Sequence, residues 1–286
     1  MSLKTRLIRR INSFQNYNLL FLEGFRRNII ILLLLIASVL ALFANVAQGS
    51  KKLVVAADYW CPYNCNPESN YPGFLIELLN EALVIYDIKI EYKTIPWHEA
   101  LRKVKNGEID GIVGISNLKG QELITTKLPL EYSTLAIFTR QDTDWSYDGF
   151  QSLRGKKIGI IMDYDLDEDI NNFIGMNYVS NPSMFVVEDG MNAVSDSITN
   201  LIDGNIDLYI EDINVVESYL EKNNVGRYIK NIGKISKDRL PLYVAFNKNV
   251  PNIDKYIKFI EEGLASLKST GEYDYLREKY KIDNHH

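Results

Sequence analysis

Residues 95–116 read IPWHEALRKVKNGEIDGIVGIS, a helix pattern followed by a strand pattern. The first part has the spacing of apolar and charged residues that predicts a helix ending at Gly107. The apolar run after the glycine predicts a short buried strand. A helix that leads directly into a buried strand is typical of an α/β sheet with crossover helices.

The same alternation extends along the chain on both sides. Residues 52–58 predict a buried strand, residues 73–86 a helix, and residues 88–94 a strand. Residues 141–155 then form a polar, turn-rich run, after which strand and helix patterns alternate again to the end of the chain. Two α/β units with a polar junction between them predict two lobes.

The first 49 residues have the features of an export segment. They contain six basic residues and one acidic residue, and residues 29–47 form a nearly unbroken apolar run that ends in small residues. This pattern predicts a cleaved signal peptide or, because about 19 apolar residues can span a bilayer, an uncleaved anchor in the inner membrane. Both interpretations place residues 51–286 outside the cytoplasm, in the periplasm.

The part that follows is acidic. Residues 50–286 keep 26 of the 32 basic residues and 36 of the 37 acidic residues, a net charge of −10. This charge argues against nucleic acid and against anionic membrane surfaces as partners. About 235 residues are too many for a small single core and sufficient for two lobes.

Cys61 and Cys65, the two cysteines of the chain, are four residues apart. Exported thiols tend to oxidise, and Pro62 and Asn64 favour a turn that brings the two cysteines together. A structural disulfide is therefore the favoured interpretation, with free thiols and redox or metal chemistry as alternatives. A structural zinc site needs four ligands, and the two cysteines alone do not supply them. We therefore expect no metal and no cofactor.

Several segments, in this order and spacing, resemble the extracellular solute-binding proteins of family 3, the amino-acid-type receptors of ABC importers. The similarity extends over about residues 52–282. The segments that carry it are PGFLIELLNEAL at 72–83, IPWHEALRKVKNGEIDGIVGIS at 95–116, LRGKKIGI at 153–160, GNIDLYIEDINVVESYL at 204–220 and GLASLKSTGEYDYLREKYKI at 263–282.

The resemblance implies an α/β, type II periplasmic-binding-protein fold in which two lobes are joined by a two-segment hinge. Lobe 1 would comprise residues 51–139 plus 241–286, and lobe 2 residues 143–238. The solute would bind in the cleft between the lobes, which would close on it by a hinge motion.

The resemblance also implies a ligand site. Trp60, with Tyr59 beside it, and Trp97 would supply aromatic walls, although either tryptophan could instead belong to the core. Asp212 would bind an α-ammonium group, with capping of the following helix as its alternative role. The loop that contains Gly114, Ser116 and Asn117 would supply hydrogen-bond donors.

The site departs from the family pattern at the ligand carboxylate. Where the family has an arginine that holds the ligand carboxylate, this chain has Glu122. Where the family has hydroxyl donors in the second lobe, this chain has Asp163, Tyr164 and Asp165. Lys119 or Lys127 could substitute, without the planar fork of an arginine. We therefore expect an acidic cleft and a ligand that carries an amine, with no free carboxylate dominating its recognition.

The expected function is capture of a small polar solute, an amino acid or amine, by a monomer that delivers it to the permease of an ABC importer. Two alternatives use the same fold. One is a cyclohexadienyl dehydratase-like enzyme, in which His98 and Glu122 could act as acid and base. The other is a membrane-anchored sensory domain.

Overall fold

The structure, a computed structural model, describes residues 31–36, 51–116 and 122–285. The chain divides into two compact units, Met1–Ser50 and Lys51–His286. In the first unit residues 31–36 are helical and exposed, and the rest of the predicted export segment lies outside the described residues. Within the described ranges no helix is both long and apolar enough to cross a bilayer.

The second unit alternates strands and helices. The strands are β1 Lys51–Ala57, β2 Ile88–Thr94, β3 Gly111–Ile115, β4 Leu123–Thr125, β5 Glu131–Ser133, β6 Leu135–Arg140, β7 Ile158–Ile161, β8 Phe185–Glu188, β9 Leu208–Asp212, β10 Ile229–Lys234 and β11 Leu240–Asn247. The helices are α1 Phe74–Val84, α2 Trp97–Lys105, α3 Glu168–Ser180, α4 Ala193–Ile202, α5 Ile213–Asn223, α6 Ile253–Thr270 and α7 Glu272–Lys279.

These strands form two sheets. The first has the order β2-β1-β3-β11-β4, with β5 paired to β11. The second has the order β10-β6-β9-β7-β8. In each sheet three strands are parallel: β1 with β2 and β3, and β7 with β8 and β9. Parallel strands need crossover connections, and helices between them supply these connections, as the sequence predicted.

The chain crosses between the sheets twice, after β5 and after β10. We call residues 51–133 and 240–285, which carry the first sheet, lobe 1, and residues 135–234 lobe 2. Strand β6 pairs antiparallel with β9 and β10 and so belongs to the second sheet. The predicted extension of lobe 1 to residue 139 is therefore corrected, because the backbone of residues 135–139 is hydrogen-bonded within lobe 2.

Close helix packing fixes the C-terminal part of lobe 1. Helix α6 lies against α1, and Gly263 faces the backbone of Ala82 so closely that an added Cβ would lie 2.1 Å from the carbonyl oxygen. Only a residue without a side chain permits this approach. The contact holds the C-terminal segment on the same lobe as the first strands.

Candidate functional site

A cavity lies between the two sheets, with side chains of both lobes in its walls. The empty space there is about 470 Å³, part of it open to solvent. Lobe 1 contributes Trp60, Trp97 and Ser116, and lobe 2 contributes Tyr164 and Glu211. The figure of 470 Å³ includes open solvent; the cavity itself measures about 50 Å³, so the site is narrow in this closed form.

The segment after β1 places Trp60 and Asn64 in the cavity wall. These two residues exchange backbone hydrogen bonds of 2.8 and 2.9 Å, and the disulfide between Cys61 and Cys65 closes the loop around them. The predicted disulfide is therefore confirmed. The Trp60 ring also stacks on Tyr63, with 4.6 Å between ring centroids. The loop thus holds an indole and a buried amide in fixed positions.

Trp97, the first residue of α2, forms a second aromatic wall. Its indole Nε1 donates to the carbonyl oxygen of Asp163 at 3.0 Å. Its ring meets Tyr164 edge to face, with 5.9 Å between centroids. Both contacts join lobe 1 to the segment after β7 in lobe 2. Trp97 is 8% exposed, so most of the ring lies inside the closed interface.

Gly114 and Ser116, at the end of β3, are also in the cavity wall. Ser116 Oγ donates to the carbonyl oxygen of Asp165 at 2.7 Å, another contact between the lobes. Gly114 has a φ of 94° and leaves room for the Asn64 amide, whose Nδ2 would lie 3.1 Å from an added Cβ. A side chain here would strain the backbone and crowd the amide.

Two buried carboxyl groups line the cavity, and the sequence analysis did not identify either of them. Asp58 follows β1 and accepts a hydrogen bond from the Tyr164 hydroxyl. Glu211 lies near the end of β9 and accepts from Trp60 Nε1 at 3.1 Å. Burial raises the pKa of Asp58 to about 6 and that of Glu211 to about 7. Desolvation disfavours the charged form of each group.

Asp212, which was predicted to bind the ligand, is instead engaged within the protein. Its carboxylate caps α5 by accepting from Val215 N at 3.0 Å, and it also accepts from Ser133 Oγ at 2.7 Å and Thr134 N at 3.0 Å. The residue is fully buried, and burial raises its pKa to about 6. Capping, the alternative role, is the one the structure shows.

Other predicted site residues lie away from the cavity. The Glu122 side chain is 80% exposed and forms an ion pair with Lys248 at 2.9 Å. Tyr59 faces a separate surface pocket, where its hydroxyl accepts from Lys222 Nζ at 3.2 Å. Asp163 contributes its carbonyl oxygen to Trp97, while its side chain is exposed, and Lys127 is exposed as well. Asn117 and Lys119 lie outside the described residues.

Tyr164 and Asp165, also predicted, do face the cavity. Asp165 Oδ1 accepts from Asn171 Nδ2 at 2.6 Å, which orients the carboxylate from the first turns of α3. The polar side chains in the lobe 2 wall are therefore one phenol and two acids, including Glu211, beside two leucines. This composition differs from a set of hydroxyl and amide donors, which would suit an anionic group.

Comparison with known proteins now assigns the family. A model of the bacterial extracellular solute-binding proteins, family 3, matches residues 53–283. The chain belongs to this family. This family 3 protein is 23% identical over 261 residues to a "Probable histidine-binding protein" of Neisseria gonorrhoeae. The aligned region covers 86% of this chain and 92% of the relative.

Solved structures confirm the predicted fold. A histidine kinase sensor domain with similarity to periplasmic binding proteins has a TM-score of 0.68 at 21% identity, covering 82% of this chain and 97% of the domain. The arginine-, lysine-, histidine-binding protein of Geobacillus stearothermophilus has a TM-score of 0.64 at 21% identity, covering 80% and 95%. At these identities the likeness shows the type II periplasmic-binding fold alone.

Proposed function

We propose that this family 3 protein captures a small solute of the amino-acid or amine class in the cavity between its lobes. The observation that carries the proposal is the pairing of side chains from opposite lobes around this cavity. Trp60 meets Glu211, Tyr164 meets Asp58, and Ser116 meets the backbone of lobe 2. A site whose walls belong to two lobes can open for entry and close on its solute.

Delivery to the permease of an ABC importer follows from this function and from the family. The protein would act in the periplasm, brought there by its N-terminal segment, and would present the loaded, closed form to the membrane partner. We propose that it acts as a monomer, since the cavity is complete within one chain: both walls come from residues 51–285. Determination of the N-terminus of the exported protein would separate a cleaved signal from an anchor.

A dehydratase function fits the cavity less well. Its substrates carry carboxylates, and the described residues of the cavity wall include no lysine, arginine or histidine. His98, the acid–base candidate, lies in a neighbouring surface pocket with its Nδ1 2.6 Å from Asp189 Oδ1. Glu122, the other candidate, is on the surface.

A thermal-shift screen of the purified protein tests the proposed function. The panel contains amino acids, amines, polyamines and sugars, and a parallel assay measures phenylpyruvate formation from prephenate. A solute that binds the native state raises the melting temperature. We expect at least one amino acid or amine to do so and to bind with one site per chain by calorimetry. Phenylpyruvate formation, or no shift with any solute, would overturn the proposal.

A further inference from the structure

The hydrogen-bond donors of the cavity wall are already engaged within the protein. Six lining side chains carry a donor atom, and each donor has a protein acceptor. The pairs are Trp60 with Glu211, Asn64 with the carbonyl of Val113, Trp97 with the carbonyl of Asp163, Ser116 with the carbonyl of Asp165, Ser133 with Asp212, and Tyr164 with Asp58. Apart from the second N–H of the Asn64 amide, a carboxylate solute would have to displace one of these contacts to find a side-chain donor.

The side-chain acceptors differ from one another: Glu211 accepts from Trp60, Tyr209 and the Asp212 N–H, whereas one acceptor has no partner. Asn64 is fully buried, and its Oδ1 has no hydrogen-bond partner among the described residues. The amide orientation follows from its partner: Nδ2 lies 3.3 Å from the carbonyl oxygen of Val113, which can only accept. An unpaired buried acceptor destabilises the protein unless a solute or water donates to it. A ligand with an N–H or O–H group would satisfy it.

The charge of the cavity wall points in the same direction. Asp58 and Glu211 are 6% and 1% exposed, and both are in the wall. The groups that donate to them are neutral: the Tyr164 hydroxyl to Asp58, and the Trp60 indole to Glu211. In residues 117–121, which lie outside the described part, the sequence contains one basic residue, Lys119. A cationic solute would stabilise the ionised forms of Asp58 and Glu211, whereas an anionic solute would meet like charges.

The aromatic walls suit a cation as well. The N–H groups of Trp60 and Trp97 bind protein oxygens, so these residues can offer a solute only their π-surfaces. Indole faces attract ammonium and guanidinium groups, and the attraction grows when water is excluded. Aromatic rings, carboxylates and an orphan amide oxygen thus surround one space.

We propose that the solute is an organic cation without a carboxylate, whose protonated amine or guanidinium is bound by Asp58, Glu211 and the Asn64 amide oxygen between Trp60 and Trp97. This inference rests on the proposed function and narrows it from amino acids and amines to amines. It sets this chain apart from a receptor that binds both ends of an amino acid.

Matched pairs of solutes test the inference directly. Arginine is compared with agmatine, lysine with cadaverine, and histidine with histamine, by calorimetry on the purified protein. Each pair has the same side chain and the same amine and differs only in the carboxylate. We expect at least one decarboxylated amine to bind about tenfold or more tightly than its parent amino acid, because the parent would bury an unpaired anion beside two acids.

Two conservative variants assign the contact. Asp58→Asn and Glu211→Gln preserve shape and remove one charge each, and each should weaken amine binding about tenfold or more, the value of a lost charge-assisted contact. Glu108→Gln is the matched control, because it removes the same charge from an exposed ion pair with Arg102. It should leave the affinity unchanged.

The outcomes separate this inference from the proposed function. If an amino acid binds as tightly as its amine or more tightly, the inference is wrong and capture of solutes stands. If Asp58→Asn and Glu211→Gln bind the amine like the wild-type protein, the cation is not recognised here and the inference is wrong. If no amine and no amino acid binds at all, both the inference and the proposed function are overturned.

Discussion

Trp60 of lobe 1 donates its indole N–H to the carboxylate of Glu211 in lobe 2, with 3.1 Å between Nε1 and Oε1. Both side chains are buried, at 7% and 1% exposed. The contact requires the lobes to be closed, so an aromatic wall and an acid of the cavity come together only in that state. Closure therefore assembles the candidate site, and a solute that contacts both residues would favour it.

The two aromatic walls give the first prediction. Trp60→Ala and Trp97→Ala should each weaken solute binding by about 1–3 kcal/mol, since each change removes apolar contact and a π-surface. Trp145→Ala is the control, because this third tryptophan packs in lobe 2 beside Lys156, whose Nζ lies 5.4 Å from the ring centroid. Calorimetry with the tightest solute measures all three. Normal binding by either cavity variant would assign that tryptophan to the core alone.

The disulfide gives the second prediction. The double variant Cys61→Ser and Cys65→Ser should lose about 2 kcal/mol of unfolding free energy, a modest amount because so short a loop restricts the unfolded chain little. It should also bind solute more weakly, since the loop that places Trp60 and Asn64 is no longer closed. Urea unfolding and calorimetry measure the two effects. An unchanged affinity would mean that the backbone hydrogen bonds suffice to hold the loop.

The buried acids give the third prediction, a dependence of stability on pH. The pKa values of Asp58, Asp212 and Glu211 are raised to about 6, 6 and 7. At pH values between the unfolded and the folded pKa, the folded protein therefore binds more protons than the unfolded chain. The contribution of these groups to stability is complete below pH about 4 and is lost as the pH rises through 6–7.

Glu211→Gln should flatten this dependence, because the amide does not titrate. Urea unfolding of the solute-free protein between pH 4.5 and 8 compares the variant with the wild type. Glu108→Gln again serves as the surface control. Equal slopes for Glu211→Gln and the wild type would show that the pKa of Glu211 is not raised in the folded protein.

A fourth prediction concerns packing rather than the site. Gly263→Ala should destabilise the protein by about 3 kcal/mol, since the new methyl group would overlap the backbone of Ala82 and force α6 away from α1. Gly175→Ala is the matched control: it lies in α3 with no atom within 4 Å of an added Cβ, and it should stabilise by about 0.5–1 kcal/mol. Urea unfolding measures both. Equal stabilities for the two variants would contradict the close approach of α6 and α1.

Much of the fold could be predicted from local patterns. Strand β2 was predicted at its observed bounds, because its apolar residues alternate with charged ones. Helix α3 was not predicted. Its apolar residues are scattered and Gly175 interrupts it, so its position depends on packing around Ile170 and Phe173.

The site was harder to predict because it depends on which way single side chains point. Asp212 and Glu211 are neighbours at the end of β9, and successive strand residues point to opposite faces. Glu211 faces the cavity, while Asp212 caps the next helix. The family pattern pointed to Asp212, whose contact with a ligand stays a prediction, and not to Glu211. The signal that could have identified Asp58 is an acid directly after a buried parallel strand, where ligands of α/β sheets bind.

Glu122 lies on the surface and not in the cavity wall, and the acidic character of the cleft stays a prediction. The position of Glu122 was inferred by counting along a segment without secondary-structure signals, and the side chain pairs with Lys248 on the surface. The acids of the cavity are Asp58, Asp165 and Glu211. An acidic cleft therefore remains the expectation, carried by different residues.

The most direct test of the account is a crystal structure of the protein with the amine that binds most tightly in the matched-pair titrations. The account predicts one amine per chain between Trp60 and Trp97, with its nitrogen within hydrogen-bond distance of Asp58 or Glu211 and of Asn64 Oδ1. An amine bound outside this cavity, or one whose nitrogen contacts neither acid, would contradict it.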